Sequence, residues 1–445
     1  MFKKAAALGL AFSLLAAPLF AHEGDVPKGV PHMDHVFVIM MENHGYQQVI
    51  NNPNEPYLNG LIANKKVNLA TNYFAVGHPS LTNYLEIVGG SNFGIRSDNS
   101  PDWHDATCSP NIATGIVNAD DDAGPTAAPV PFETDNICPI SGTGTDAVTP
   151  AVDNWNEVTL PTFPYLADLD GIKSVPAAFT KGKSIGDQLV RAGLSWKSYQ
   201  EDLPITGADL VDYSNGTASN LTDFTTLAPL TSASVVQAYA VKHNPFAYFK
   251  SVQEGTEFGN SLDNIVGFEG PRGLFSDLGS GNVPSLAFIA PSQCNDQHGR
   301  SNGDAFCAFD PGIGTAGLTN GTQVGLNPGL IMQGDTTIEQ LVKAIKHSPV
   351  WHDGRTAIVI VWDENDYSGI STTPTGLFPP QNQNTVVLTV ETNGDSDDEG
   401  IQSSVYYTSY SLLKSLEAGF GLPCLNHACD DNVKVMRDLF GHDHD

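Results

Sequence analysis

Two runs of apolar residues end abruptly in acids. His35–Met41 (HVFVIMM) runs into Glu42-Asn43, and Thr356–Trp362 (TAIVIVW) runs into Asp363-Glu364. Apolar runs without alternation predict strands buried on both faces, as in a parallel sheet sandwiched by helices. Val67–Asn72, Pro284–Ala290 and Thr385–Glu391 read as further strands, and Leu194–Tyr199 as an extended segment. Helices are predicted at Ser80–Val88, Ser184–Ala192, Thr336–Lys346 and Tyr407–Glu417. In Thr336–Lys346 the apolar residues Ile338, Leu341, Val342 and Ile345 share one face. Strands alternating with helices predict an α/β fold whose mostly parallel sheet carries helices on both faces.

Two stretches break this rhythm. Residues 91–160 are rich in Gly, Pro, Asp and Ala, and residues 207–230 in Ser, Thr and Asn. Both read as loop insertions over one sheet edge, where insertions commonly shape substrate access. The chain is therefore expected to be one domain over residues 22–445, behind a leader at residues 1–21. The leader has Lys3-Lys4, an apolar run from Ala5 to Phe20, and Ala21, the pattern of a secretory signal. A retained anchor is the alternative, but the run is short for a membrane span, and no later segment is apolar for long enough. An exported protein, periplasmic or secreted, follows. Six cysteines suit that compartment, and proximity suggests the pairs Cys108–Cys138, Cys294–Cys307 and Cys424–Cys429.

Charge narrows the partners. The formal net charge is −29, from 21 basic and 50 acidic residues. Such a chain does not bind nucleic acid by neutralising phosphates, nor does it seek an anionic membrane surface. It suits a protein that recruits cations.

In an open parallel sheet, ligands bind outside the carboxyl ends of the strands. Glu42, Asn43, Asp363 and Glu364 would converge there, and carboxylates so crowded repel unless a cation sits among them. One divalent cation is expected. Oxygen donors suit magnesium, calcium or manganese, with zinc also possible. Ser80, in AVGHPSLTNYLEIVGG, opens a helix where the dipole and free N–H groups favour a phosphate. It is either a nucleophile or an ordinary capping serine. Asn295-Asp296-Gln297-His298 follows a strand through a short loop, which suits ligation, phosphate contact or proton donation, or simply a braced polar loop. His78 and His243 are weaker candidates beside them.

These segments together resemble the bacterial and fungal phosphoesterase family of secreted acid phosphatases and phospholipases C, within the alkaline phosphatase superfamily. The resemblance rests on MEN (Met41–Asn43), HPSLTNYLEIVGG (His78–Gly90), WKSYQEDLP (Trp196–Pro204), KHNPF (Lys242–Phe246), NDQH (Asn295–His298), WDE (Trp362–Glu364) and GLP (Gly421–Pro423). It implies an alkaline-phosphatase-like fold. It implies that Glu42, Asn43, Ser80, Asp363 and Glu364 surround one metal, and that His78, His243 and His298 lie near the phosphate. Asn43, His78 and Asp296 would contact substrate. The chain departs from the family where His44-Gly45-Tyr46 follows Glu-Asn and where Gly299 follows His298. The latter weakens the case for a second metal.

The expected activity is hydrolysis of phosphate monoesters through a phosphoserine on Ser80, with His298 protonating the leaving oxygen. Phospholipase C chemistry on a phospholipid head group is the alternative. A non-catalytic protein clipped by a cation is a third reading, disfavoured by Ser80 and His298 occurring together. No Cys/Ser-x-Pro-x-Arg sequence supports a sulfatase.

Overall fold

The computed structural model describes residues 23–76, 80–95, 98, 101, 137–144, 180–203, 238–299, 328–364, 386–393 and 400–441. Its strands are β1 (His35–Met41), β2 (Asn68–Ala70), β3 (Tyr73–Phe74), β4 (Thr143–Gly144), β5 (Thr180–Lys181), β6 (Trp196–Gln200), β7 (Ile265–Val266), β8 (Leu286–Ala290), β9 (Thr356–Trp362), β10 (Leu388–Thr392), β11 (Gln402–Ser403) and β12 (Tyr407–Thr408). Eight form one sheet in the order β11-β2-β10-β9-β1-β8-β6-β7. It is mixed: β10 runs antiparallel to both β9 and β2, and the other pairings are parallel.

The centre of the sheet is apolar on both faces, as the unalternated runs required. Every residue of β8 and β9 is buried, and so is β1 beyond His35. Full burial of each Val, Ile, Leu, Phe or Met contributes about 1.5–3 kcal/mol, so these strands anchor the core. The helices Ser80–Gly89, Ile185–Arg191 and Ser409–Phe420 contact one another. A second set is centred on Pro328–His347, which contacts both Pro56–Ala63 and Leu274–Ser280. The expected stripe of Ile338, Leu341, Val342 and Ile345 is fully buried.

The strands expected at Val67–Asn72 and Thr385–Glu391 are the shorter Asn68–Ala70 and Leu388–Thr392, and two helix starts differ by more than one residue. The last long helix starts at Ser409, because Tyr407–Thr408 pairs with Tyr73–Phe74 as β12 and β3. There the Thr408 N–H donates to Ser411 Oγ (3.2 Å), closing the helix start. The amphipathic helix begins at Pro328, eight residues before the expected start at Thr336. The Ser80 helix ends at Gly89-Gly90. Gly90 has φ +70°, and a Cβ there would lie 2.6 Å from the Leu425 carbonyl, so both conformation and space demand glycine.

Cys424 and Cys429 are bridged as expected. Cys138 and Cys294 are also disulfide-bonded. Their expected partners Cys108 and Cys307 lie outside the described residues, as do the leader and nearly all of both insertions. Among the described residues no helix is long and apolar enough to cross a membrane.

Candidate active site

The sheet brings three strand ends to one place. Met41 pairs with Trp362 in parallel register, so the next residues, Glu42 and Asp363, leave the same edge side by side. The Asp363 N–H donates to the Met41 carbonyl at 3.0 Å. On the other flank, β8 leads into the loop carrying Asn295–His298, and the Glu42 N–H donates to the Asp296 carbonyl at 2.9 Å. Parallel neighbours present their carboxyl ends together, which is why segments more than 300 residues apart meet here.

The Ser80 helix lies across that edge. Ser80 is its first residue and is 1% exposed. Ser80 Oγ lies 3.1 Å from Glu42 Oε2 and 3.2 Å from Glu364 Oε1. One hydroxyl proton thus faces two buried carboxylates. One turn on, Asn83 Nδ2 donates to Glu364 Oε2 (3.2 Å), and Tyr84 stacks on His243 with ring centroids 5.2 Å apart. Positions i, i+3 and i+4 share a helix face, so Ser80, Asn83 and Tyr84 act as one surface.

Glu42, Asp363 and Glu364 each offer an oxygen within 4.8 Å of the other two, and all three are buried. Both Asp363 oxygens and Asn43 Oδ1 lack a hydrogen-bond partner. Burial, followed by the charges of Glu42 and Glu364, drives the Asp363 carboxyl well above the usual carboxylate range. The unpartnered oxygens of Asp363 and Asn43, set beside the Glu42 and Glu364 carboxylates, are the donor set of a hard cation. The expected ligands Glu42, Asn43, Asp363 and Glu364 thus fit a divalent ion chemically.

The imidazoles differ in environment. His243 is 2% exposed, with Nε2 2.9 Å from Glu42 Oε1 and Nδ1 3.4 Å from Asp296 Oδ2. Burial opposes its charge, but Glu42 and Asp296 outweigh burial and hold it up at about 9. Glu42 is raised by burial and lowered more by His243, ending well below its ordinary value. Asp296 is raised by burial to about 7, despite His243 beside it. His298 is partly exposed, with Nδ1 donating to the Gly299 carbonyl at 2.7 Å and its ring 6.1 Å from that of His243. Burial and the Lys242 ammonium hold it down at about 4.

The structure therefore brings together Glu42, Ser80, His243, Asp296, His298, Asp363 and Glu364, with Asn43 next to Glu42. His78 lies outside the described residues. Four neighbours carried no role in the sequence reading. Tyr84 could have been found from its helical spacing to Ser80. Glu201 fixes the β8 loop, accepting from the Ser292 N–H and Asn295 Nδ2, both at 2.8 Å. Gln297 accepts from Trp362 Nε1 at 2.9 Å and donates to Glu55. Asp98, whose Oδ1 accepts from the Leu81 N–H at 3.1 Å beside Ser80, has no local sequence signal at all.

A family model described as Phosphoesterase family matches residues 50–308. An acid phosphatase of Aspergillus fumigatus is 22% identical over 400 residues, covering 89% of this chain and 57% of that protein. A phosphatidylinositol-3-phosphatase of Mycobacterium tuberculosis is 21% identical over 435 residues, covering 97% of this chain and 92% of that protein. A probable acid phosphatase of Kluyveromyces lactis is 24% identical, covering 89% of this chain and 61% of that protein. The chain thus spans little more than half the length of the fungal relatives. Among solved structures, a protein of the alkaline phosphatase superfamily from Vibrio parahaemolyticus superposes with a TM-score of 0.42 at 10% identity, over 90% of this chain and 69% of that one.

Proposed function

The chain belongs to the phosphoesterase family, and we propose on that premise that it is an exported phosphatase hydrolysing phosphate monoesters. The observation that carries this is the Ser80 hydroxyl set between two buried carboxylates, 3.1 Å and 3.2 Å away. A capping serine has no use for two acids. The relatives named as acid phosphatases support the monoester.

Glu42, Asn43, Asp363 and Glu364 would hold one divalent cation. When bound, it lowers the pKa of a neighbouring hydroxyl and offsets charge on phosphoryl oxygens. Ser80 gives its proton to a flanking carboxylate, and its Oγ attacks phosphorus in line. The Oγ–phosphorus bond forms as the bond to the leaving oxygen breaks. His298 protonates that oxygen. With His298 held down at about 4, the protonated fraction that can donate, and turnover with it, rises as pH falls toward 4. Water then cleaves the phosphoserine, and Ser80 regains its proton as phosphate leaves. Glu42 and Asp296 fix the His243 ring, which orients Glu42 in turn.

The test is release of p-nitrophenol from its phosphate monoester and from a choline phosphodiester analogue. Wild type and Ser80→Ala are compared, each with and without chelator. The reading expects monoester turnover that both the substitution and the chelator abolish. Preferential turnover of the diester overturns the monoesterase assignment, and full activity of a folded Ser80→Ala protein overturns the mechanism.

A further inference from the structure

An anion already occupies the start of the Ser80 helix. The Leu81 N–H, the donor next to the Ser80 side chain, points at Asp98 Oδ1 at 3.1 Å. Asp98 Oδ2 accepts from Lys242 Nζ at 2.8 Å. Lys242 precedes His243, and its ammonium lies within the fields of Glu42 and Glu364. A helix-start amide and an ammonium thus converge on one carboxylate beside the nucleophile.

This is not ordinary helix capping. A capping side chain precedes the helix it caps, whereas Asp98 comes 17 residues after Leu81. Nor is Lys242 a surface residue, since its side chain is 17% exposed and that of Asp98 is 22% exposed. A free amide at a helix start, the positive end of its dipole and a lysine ammonium are what a phosphate group recruits. In a chain of 50 acids and 21 bases, a cation turned toward the acidic site is a scarce resource for an anionic substrate.

We propose that Asp98 stands in for the substrate phosphate, and that Lys242 and the Leu81 amide bind its non-reacting oxygens once Asp98 swings away. The inference rests on the phosphatase reading above and deepens it. Asp98 is then a built-in competitor. Apparent affinity for phosphate is reduced by the fraction of molecules in which Asp98 holds the site. No bond is made or broken; one oxyanion replaces another on the same two donors.

The experiment measures inhibition by inorganic phosphate, and KM for p-nitrophenyl phosphate, in wild type, Asp98→Asn, Lys242→Met and the double variant. Removing the internal anion should lower both the phosphate inhibition constant and KM, by about tenfold if Asp98 holds the site nine times in ten. Lys242→Met should raise both by about ten- to a hundredfold, the loss of one charge-assisted hydrogen bond. The double variant should behave like Lys242→Met alone. A purely structural role for Asp98 predicts the opposite sign, because an unheld Lys242 would bind phosphate less well. Asp98→Asn with unchanged or weaker phosphate inhibition therefore overturns the proposal. Asp98→Ser, which also lacks the charge, repeats the test if the Asn variant does not fold. Wild type that neither turns over the monoester nor binds phosphate in a calorimeter removes the phosphatase reading, and this inference with it. Normal wild-type turnover with an indifferent Asp98→Asn removes this inference alone.

Discussion

Glu42 holds two partners at once: its Oε2 lies 3.1 Å from Ser80 Oγ, and its Oε1 lies 2.9 Å from His243 Nε2. One buried carboxylate is therefore both the neighbour of the proposed nucleophile and the counter-ion of a charged ring. Glu42→Gln keeps the shape and removes the charge. It should lower kcat by at least about a hundredfold, since the hydroxyl loses a proton acceptor. It should also lower stability by about 1–3 kcal/mol, because the buried His243 ring then keeps only Asp296, 3.4 Å away, as its acidic partner. Steady-state kinetics and thermal melting check both. A variant that melts like wild type would show that His243 does not depend on Glu42.

Asp363 makes the opposite prediction for stability. Its two oxygens are buried without partners, between the charges of Glu42 and Glu364. In chelator, Asp363→Asn should relieve that repulsion and melt higher than wild type, by about 1 °C for each kcal/mol relieved in a domain of this size. Adding magnesium, calcium, manganese or zinc should raise the wild-type melting temperature and leave the variant unmoved, since only the former binds the ion. Melting needs no turnover to read. A variant less stable than wild type in chelator would mean that Asp363 is satisfied by the protein alone.

Much of the site was legible because parallel sheets impose a simple geometry. Seven near-apolar residues running into Glu42, and seven running into Asp363, read as central strands delivering acids to one edge. What could not be read depends on pairings that leave no local trace. Leu388–Thr392 (LTVET) alternates apolar and polar residues, unlike the parallel strands, but nothing in it names β9 as the strand it runs antiparallel beside. Tyr407 and Thr408 extend a helical pattern smoothly, yet β3 claims them for a short strand. Lys242 and Asp98 are 144 residues apart and meet only through the fold. Tyr84 differs: its spacing from Ser80 was visible, and only its chemistry, stacked on His243, was not.

Glu201 tests how the β8 loop is held. Its carboxylate takes the Ser292 N–H and Asn295 Nδ2, and Asn295 Oδ1 in turn accepts from Gln333 Nε2 at 2.7 Å. The loop then carries Asp296 and His298 to the site. Glu201→Gln turns a donor toward a donor and loosens the loop. A shift of about 1 Å in a reacting group can cost about a hundredfold, so kcat should fall by about ten- to a hundredfold. KM should move far less, because Lys242 and the Leu81 amide do not sit on this loop. Equal changes in kcat and KM, or none, would show the loop to be held elsewhere.

Glu417 offers a pH test away from the chemistry. It is fully buried in the Ser409–Phe420 helix, accepts from the Leu425 N–H at 2.7 Å, and leaves Oε2 without a partner. Burial raises its carboxyl well above the usual value of 4.5, outweighing that hydrogen bond and the nearby Lys414. The folded chain therefore keeps a proton that the unfolded chain releases. Stability is lost as pH rises from about 4.5 toward the folded pKa, by at most about 1.4 kcal/mol for each pH unit. Glu417→Gln mimics the protonated form and keeps Oε1 as the acceptor. Wild type and variant should melt together near pH 4.5, and the variant should melt progressively higher as pH rises to 8. A constant offset at every pH would mean that Glu417 is ionised in the folded protein, compensated by Lys414.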